Sequence, residues 1–454
     1  MRLTTFGCLV AALASVSVAA GPVGWRGDGG GVFPDAAGPT KWTGASVLWK
    51  TKLPAWGNSS PVVVGDKVFV TCQPHSLVCV DAKTGNVLWS KPNSYEDVAG
   101  KEAYDKDEAE FKKAYADREN KIDELKGKID AVQKRISPKG DDGELNTELR
   151  KLKEDLAKAQ AVKVEFKWAY PQRHAECGFT TPTPASDGKR VYALFGTGIA
   201  ACYDLDGNRK WIKFVERPTH AYGQGSSPVL VGGKVILHIA GLTALDAGTG
   251  EVIWKTPSAR AWGTPARAKI GDVDVVITAS GDCARVSDGK ILASGLGNLG
   301  SASPIVSGGA VYFVQEGGKA WKLPAEIKDD KATFELLWTL GAEPKSYYAS
   351  PVLVDGLIYA CNATNMLTCI DAKDGKEVYR KTLDLGGGNV FPSLAAAGKL
   401  VYIMHSSGTA VIVEAGREFS QAARCAAEPL RSSPVFDGRR MYIRGLENLW
   451  CVGE

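Results

Sequence analysis

The sequence predicts an all-β fold, an eight-bladed β-propeller of four-stranded antiparallel blades. An N-terminal strand closes the ring by completing the last blade, and an α-helical coiled-coil hairpin is inserted. Three observations carry this. A four-strand pattern recurs eight times along the 454 residues. The last quarter of one more unit stands ahead of the first. A charged stretch with leucine periodicity interrupts the repeat after its first copy.

Each unit opens with a small residue and Pro, then apolar residues, a Gly/Asp turn and a second apolar run. The openings are SSPVVVGDKVFV (Ser59), PTPASDGKRVYA (Pro182), SSPVLVGGKVIL (Ser226), GTPARAKIGDVDVVI (Gly263), SASPIVSGGAVYFV (Ser301), YASPVLVDGLIYA (Tyr348), VFPSLAAAGKLVYI (Val390) and SSPVFDGRRMYI (Ser432). In six of them an apolar residue follows the Pro by seven positions: Val68, Val191, Val235, Val311, Ile358 and Met441. The fourth and seventh copies read as stretched. The clearest closings are VCVDAKTGNVLW, CYDLDGNRKW, TALDAGTGEVIW and TCIDAKDGKEVY. Their Gly takes a positive φ cheaply, and their aromatic end fills the gap between neighbouring sheets. Four-stranded units recurring about every 40 residues define propeller blades. A β-sandwich or β-helix does not account for eight of them.

Along the chain, residues 1–20 read as a secretory signal peptide. Arg2 is positive, Phe6 to Val18 is apolar, and Val18-Ala19-Ala20 offers a cleavage site before Gly21. The run is shorter than the roughly 20 apolar residues of a membrane helix. Cys8 lacks lipoprotein spacing. A periplasmic or secreted location follows, with no transmembrane segment after cleavage. Residues 21–95 hold a leader, the closing strand and blade 1. In VLWKTKLPAWGNSSP, Trp49 precedes Pro61 by twelve positions; Trp254 precedes Pro265 by eleven and Tyr379 precedes Pro392 by thirteen. The eighth copy stops at NLWCVGE, a third strand. The early strand therefore completes the last blade, which spares the ring a junction held by side chains alone. Residues 96–165 form the helical hairpin. Ile122, Leu125, Ile129, Val132 and Ile136, then Leu145, Leu149, Leu152 and Leu156, follow a coiled-coil spacing on either side of SPKGDDG. The first helix, Lys101 to Ile136, would be roughly 50 Å long. Residues 166–454 supply blades 2–8.

These features resemble the quinoprotein-type (PQQ-like) repeat, first seen in pyrroloquinoline quinone dehydrogenases and recurrent in exported bacterial propellers, among them an outer-membrane assembly lipoprotein. The WRGDGGGVFPDA leader resembles that of a bacterial branch of such exported propellers. The resemblance spans most of residues 25–454 outside the insert. It implies a fold and leaves activity open. Arg26-Gly27-Asp28 is set aside as an adhesion tripeptide.

A net charge of +4 is too mild for nucleic acid. The dehydrogenases implied by the resemblance carry adjacent cysteines over their quinone, and no Cys-Cys or Cys-x-x-Cys-His occurs here. Calcium needs converging oxygen ligands, and the mouth loops offer chiefly Glu176. The five histidines lack zinc spacing, so no metal and no cofactor is expected; PQQ with calcium is the alternative. Loops entering the first strands line the top of the channel. They bring Trp56, Asn58, His174, Glu176, His220, Tyr222, Gln224, Trp262, Asn298, Tyr347, Tyr348, Asn389 and Arg431 as ligand-binding candidates, or as residues that merely plug the channel. The insert lies in a fourth-to-first strand connection, on the same top face, as a docking arm or a spacer. Cys72 with Cys79, and Cys361 with Cys369, recur on second and third strands as candidate disulfides, or as small buried hydrophobes. The expected function is an exported, non-enzymatic propeller that binds a protein or glycan through its top face and arm, as a monomer or an arm-mediated dimer. The alternatives are a PQQ-dependent oxidoreductase and a purely structural envelope scaffold.

Overall fold

The computed structural model describes residues 23–42, 44–137, 143–341 and 347–453, so the signal segment and Cys8 lie outside it. The strands form eight antiparallel blades of four, and the sheet of blade 7 gains a fifth strand from the leader. Their short inner strands line the channel, and those of blades 1 and 8 lie side by side, which closes the ring. Seven blades use consecutive strands. The eighth takes its outer strand, Val47–Lys52, from the front of the chain, antiparallel to Asn448–Gly453.

The Ser/Thr-Pro opening has two structural uses. Pro begins an inner strand whose channel edge is unpaired, where its missing N–H costs little. The hydroxyl residue before it links blades. The Ser433 N–H donates to Ser60 Oγ, Ser60 to Thr183, Thr183 to Ser227, Ser227 to Thr264, Thr264 to Ser303, Ser303 to Ser350, and Ser350 to Ser393, all at 2.8–3.0 Å. These links join all eight blades through groups that would otherwise be buried and unpaired.

In blade 7 the linking residue is Ser393, and Leu394 occupies the Pro position. Val401 then falls seven residues on, fully buried. That copy is therefore displaced onto Leu394, and only the fourth copy is stretched, with a longer first hairpin, Ala266–Ile270 on Val273–Ile277.

The outer strands lock neighbouring blades. Trp49, Trp89, Trp211, Trp254 and Trp338 each donate Nε1–H to a carbonyl in the next blade's turn: Ala82, Leu205, Ala247, Val286 and Ala372, at 2.8–3.2 Å. The indoles lie against Gly85, Gly207, Gly250, Gly289 and Gly375 so closely that a Cβ there would collide with them. All five glycines have positive φ, so conformation and close approach select glycine together. The residue before each Trp (Leu48, Leu88, Lys210, Ile253, Leu337) sits at a one-residue register slip. Such bulges disrupt an exposed edge as a template for further strands.

The leader fills the lower end of the channel. Val23 bridges Ser186 of blade 2, and Val32–Phe33 pairs in parallel with Ala396 and Ala397 of blade 7. Arg26 is fully buried and donates to the Pro351 and Leu394 carbonyls at 2.7 and 2.6 Å. Burial lowers its pKa. An adhesion motif needs an accessible guanidinium; this one is a structural plug.

The proposed disulfides do not form: Cys72, Cys79, Cys361 and Cys369 are free and buried. Cys72 lies opposite Ser76 while Cys79 lies opposite Phe69. Cys361 faces Leu367, and Cys369 faces Tyr359. Each pair is out of step along its hairpin, so spacing alone misled.

The insert comprises α1 (Tyr95–Ala99), α2 (Lys101–Arg135) and α3 (Gly143–Ala161). The α2 seam residues Ile122, Leu125, Ile129 and Val132 are buried against α3, whose leucines are half-buried. Ser94 and Asp97 form a capping box at α1. No helix among the described residues is long and apolar enough to cross a membrane.

Candidate functional site

Two residues ahead of each linking hydroxyl, the chain turns into the channel mouth. Reading around the ring from blade 1 gives Asn58, Thr181, Gly225, Trp262, Ser301, Tyr348, Phe391 and Arg431. The mouth is thus two-sided, with aromatic residues from blades 4, 6 and 7 and polar ones from blades 8, 1 and 2. Phe391 was missed in the sequence because the displaced Pro of blade 7 hid its register. Its ring lies 5.3 Å from that of Tyr348.

A loop from blade 2 spans the polar side. Asn58 Nδ2 donates to the carbonyls of Glu176 and Cys177 at 2.8 and 3.2 Å. Arg431 Nη1 donates to the Glu176 carbonyl at 3.0 Å, and its Nη2 lies 3.7 Å from the Glu176 carboxylate. Gln73 Oε1 accepts from the Phe179 N–H at 3.0 Å. Gly178, at φ +57°, packs against Gln73 and Trp56 with no room for a Cβ. One loop therefore touches blades 8, 1 and 3, the last through an edge-on contact of His174 with Tyr222 at 4.9 Å.

That contact begins a chain of rings. His220 lies 5.7 Å from Tyr222 and 5.4 Å from Trp262. Tyr222 is 56% exposed, the most open large apolar side chain in the described structure. Burial and the charge of Arg260 lower the His220 pKa, so its ring is neutral at neutral pH.

Other sequence candidates serve the scaffold. Tyr347 is buried between blades 5 and 6. Gln224 donates to the Ser226 and His238 carbonyls. Asn389 ties its main chain to Ser406. Asn298 is exposed on the blade 5 loop. Of the remaining candidates, the structure gathers Asn58, Glu176 and Arg431, then His174, Tyr222, His220 and Trp262.

The arm is rooted on this face. Tyr95 Oη donates to the Thr197 carbonyl in the blade 2 hairpin at 2.7 Å. His75, on the blade 1 hairpin, meets both ends of the insert. Its Nδ1 accepts from the Asn93 N–H at 3.3 Å, and its Nε2 lies 2.9 Å from Tyr170 Oη. Tyr170 then leads directly into the loop across the mouth.

The family described as outer membrane protein assembly factor BamB matches residues 38–135, 160–295 and 305–452. The chain belongs to this BamB family. A curated BamB of Moranella endobia is 22% identical over 396 residues, covering 86% of this chain and 83% of the relative. BamB from Moraxella catarrhalis superposes with TM-score 0.53 at 9% identity, over 90% of this chain and 97% of that one. Quinohemoprotein alcohol dehydrogenase from Comamonas testosteroni gives 0.52 at 13% identity, over 90% and 76%. At these identities the superpositions establish the shared propeller only. Within this BamB-family chain the described residues group no carboxylates of the kind that a calcium-held quinone requires. Among the described residues no three His, Cys, Asp or Glu side chains converge. The mouth carboxylate, Glu176, rests on Arg431, and a stitched loop lies across the polar half.

Proposed function

We propose that the protein is an exported, non-enzymatic propeller that binds a protein partner through its top face and helical arm, in the periplasm. The observation that carries this is the chain of rings His174–Tyr222–His220–Trp262, open to solvent on the face where the arm is rooted. Aromatic side chains with polar tips supply contact area at low entropic cost and recur at interfaces. The curated relative is an outer membrane protein assembly factor, and we extend that printed role here: the partner belongs to the machinery or the clients of outer-membrane assembly. The mouth chemistry described above gives no support to a dehydrogenase.

Photo-crosslinker placed at Tyr222 and at Tyr115 of the arm tests the reading in envelope extracts. Crosslinking to a protein is expected at both positions, and the Tyr222 crosslink is expected to weaken when Lys101–Lys163 is replaced by a short Gly-Ser linker. Absent crosslinks, together with a thermal shift on adding the quinone and Ca²⁺, would overturn it.

A further inference from the structure

The arm is a pair of helices over its outer part only. The buried seam of α2, Ile122 to Val132, meets α3, which ends at Ala161. Nearer the propeller, α2 is covered by the returning chain. There Val162, Val164, Phe166 and Trp168 alternate with Lys163, Glu165 and Lys167. That is the period of a β-strand with one apolar face. Val162 to Phe166 runs without turn or bend, and Phe166 packs on Tyr104 and Phe111 of α2, with ring centroids at 5.6 and 5.3 Å. Both ends are tied. Arg118 Nη2 donates to the Gln160 carbonyl at 3.0 Å, Trp168 Nε1 to Asp107 at 2.7 Å, and Arg217 Nη2 to the Lys167 carbonyl at 2.9 Å. Between these ties no strand lies alongside. Among the described residues, the main-chain N–H groups of Lys163, Val164, Glu165 and Phe166 have no partner.

The blades treat their free edges differently. All eight outer strands carry a one-residue register slip, which spoils an edge as a template. Val162 to Phe166 contains no Pro and no bend. Beside it Tyr115 and Val162 are 48% and 54% exposed, and Tyr115 lies 6.0 Å from Phe111. We propose that Val162 to Phe166 is a docking strand, to which an extended segment of the protein partner, with alternating apolar residues, adds edge to edge. This rests on the protein-binding reading of the same face. Main-chain hydrogen bonds to the tied segment supply affinity, and the partner's apolar residues rest on the Phe111–Tyr115 shelf. Because both ends are held, little ordering of this chain opposes the pairing. The segment continues through Tyr170 into the loop across the mouth, so a longer partner strand is led towards the open ring of Tyr222. That continuity favours a partner over a second copy of this chain.

Fluorescein-labelled Ser-Val-Thr-Phe-Thr-Val-Ser probes this by anisotropy on the full chain. Two further copies, N-methylated at alternate residues, each lack the donors of one edge. With the apolar residues held on the shelf, one methylated copy is expected to bind at least about tenfold weaker than the parent, and the other within about twofold. Val164→Pro and Glu165→Pro remove donors from opposite edges of the segment and keep it extended. One of them is expected to weaken the parent peptide about fivefold, and the other to leave it unchanged. Binding that ignores both methylations or both prolines overturns the inference, as does equal loss in both proline variants. A dimeric chain that one proline variant turns into a monomer assigns the edge to a second copy, and overturns it too. If the peptide fails to bind while protein crosslinking at Tyr222 persists, this inference alone falls. Loss of that crosslinking as well defeats the protein-binding reading.

Discussion

Ser227 shows how much structure one hydroxyl carries. It accepts from the Thr183 N–H of the preceding blade, while its own N–H serves Thr264 of the next. Ser227→Ala leaves a buried N–H without a partner, and a loss of about 1–3 kcal/mol in urea unfolding is expected, with Ser227→Thr close to wild type. The Ser-Pro pairs were legible in the sequence, and the inter-blade links were not, because each joins residues roughly a repeat apart. Arg26 was illegible for the same reason at greater distance. Its acceptors lie 325 and 368 residues on, and a Gly-rich leader has no periodicity to point toward them. The cysteines erred differently: spacing brought them to one hairpin, and register alone decides which residues face each other. At the mouth, residue type gave most of the candidates. It could not separate Tyr222, which is open, from Tyr347, which is core, since both are tyrosines on entry loops.

The closing strand and the arm were legible because each carries a period the chain enforces. The strand holds Trp49 at the distance from a following Pro that other outer strands show, and the arm repeats its apolar residues every three or four. Their energetic roles are opposite. Val47–Lys52 carries Trp49, whose indole is buried on blade 1 and bonded to Ala82. Deleting residues 21–54 removes that indole, Leu53 and the Arg26 plug together. A fall in Tm of at least about 10 °C is expected, given about 3–5 kcal/mol for one buried Trp and a few degrees per kcal/mol. Replacing Lys101–Lys163 by a linker removes a seam that packs mainly on itself, and Tm should move by a few degrees only. A comparable fall in both variants would show that the arm braces the ring.

Across the whole molecule, burial lowers the pKa of four of the five histidines, His75, His220, His238 and His405, with His238 brought to about 4. The fold therefore favours the neutral rings. Below about 6.5, the unfolded value, the unfolded chain binds more protons than the native one. Stability is complete above that pH and is lost as pH falls towards the native values. At pH 5 His238 alone withdraws on the order of 2 kcal/mol, which urea midpoints at pH 7 and pH 5 would register. The turn carboxylates Asp81, Asp246 and Asp371 are held below their usual value of 3.8, first by backbone hydrogen bonds in Asp81 and Asp246 and by Arg417 in Asp371. Their contribution persists through the histidine window and is lost only below it. His75 sits at both ends of the insert, so the same acidification loosens the root of the arm.

The shared last blade also imposes an order on biosynthesis. The strand at Val47–Lys52 is made early, and its partner at Asn448–Gly453 appears about 400 residues later. At roughly 5–20 residues per second, that is about 20 to 80 s during which an exposed strand has no lawful neighbour. A chain cut short before Asn448 is expected to leave Val47–Lys52 unpaired and to be degraded faster than the full-length protein, which a pulse-chase of the two would register.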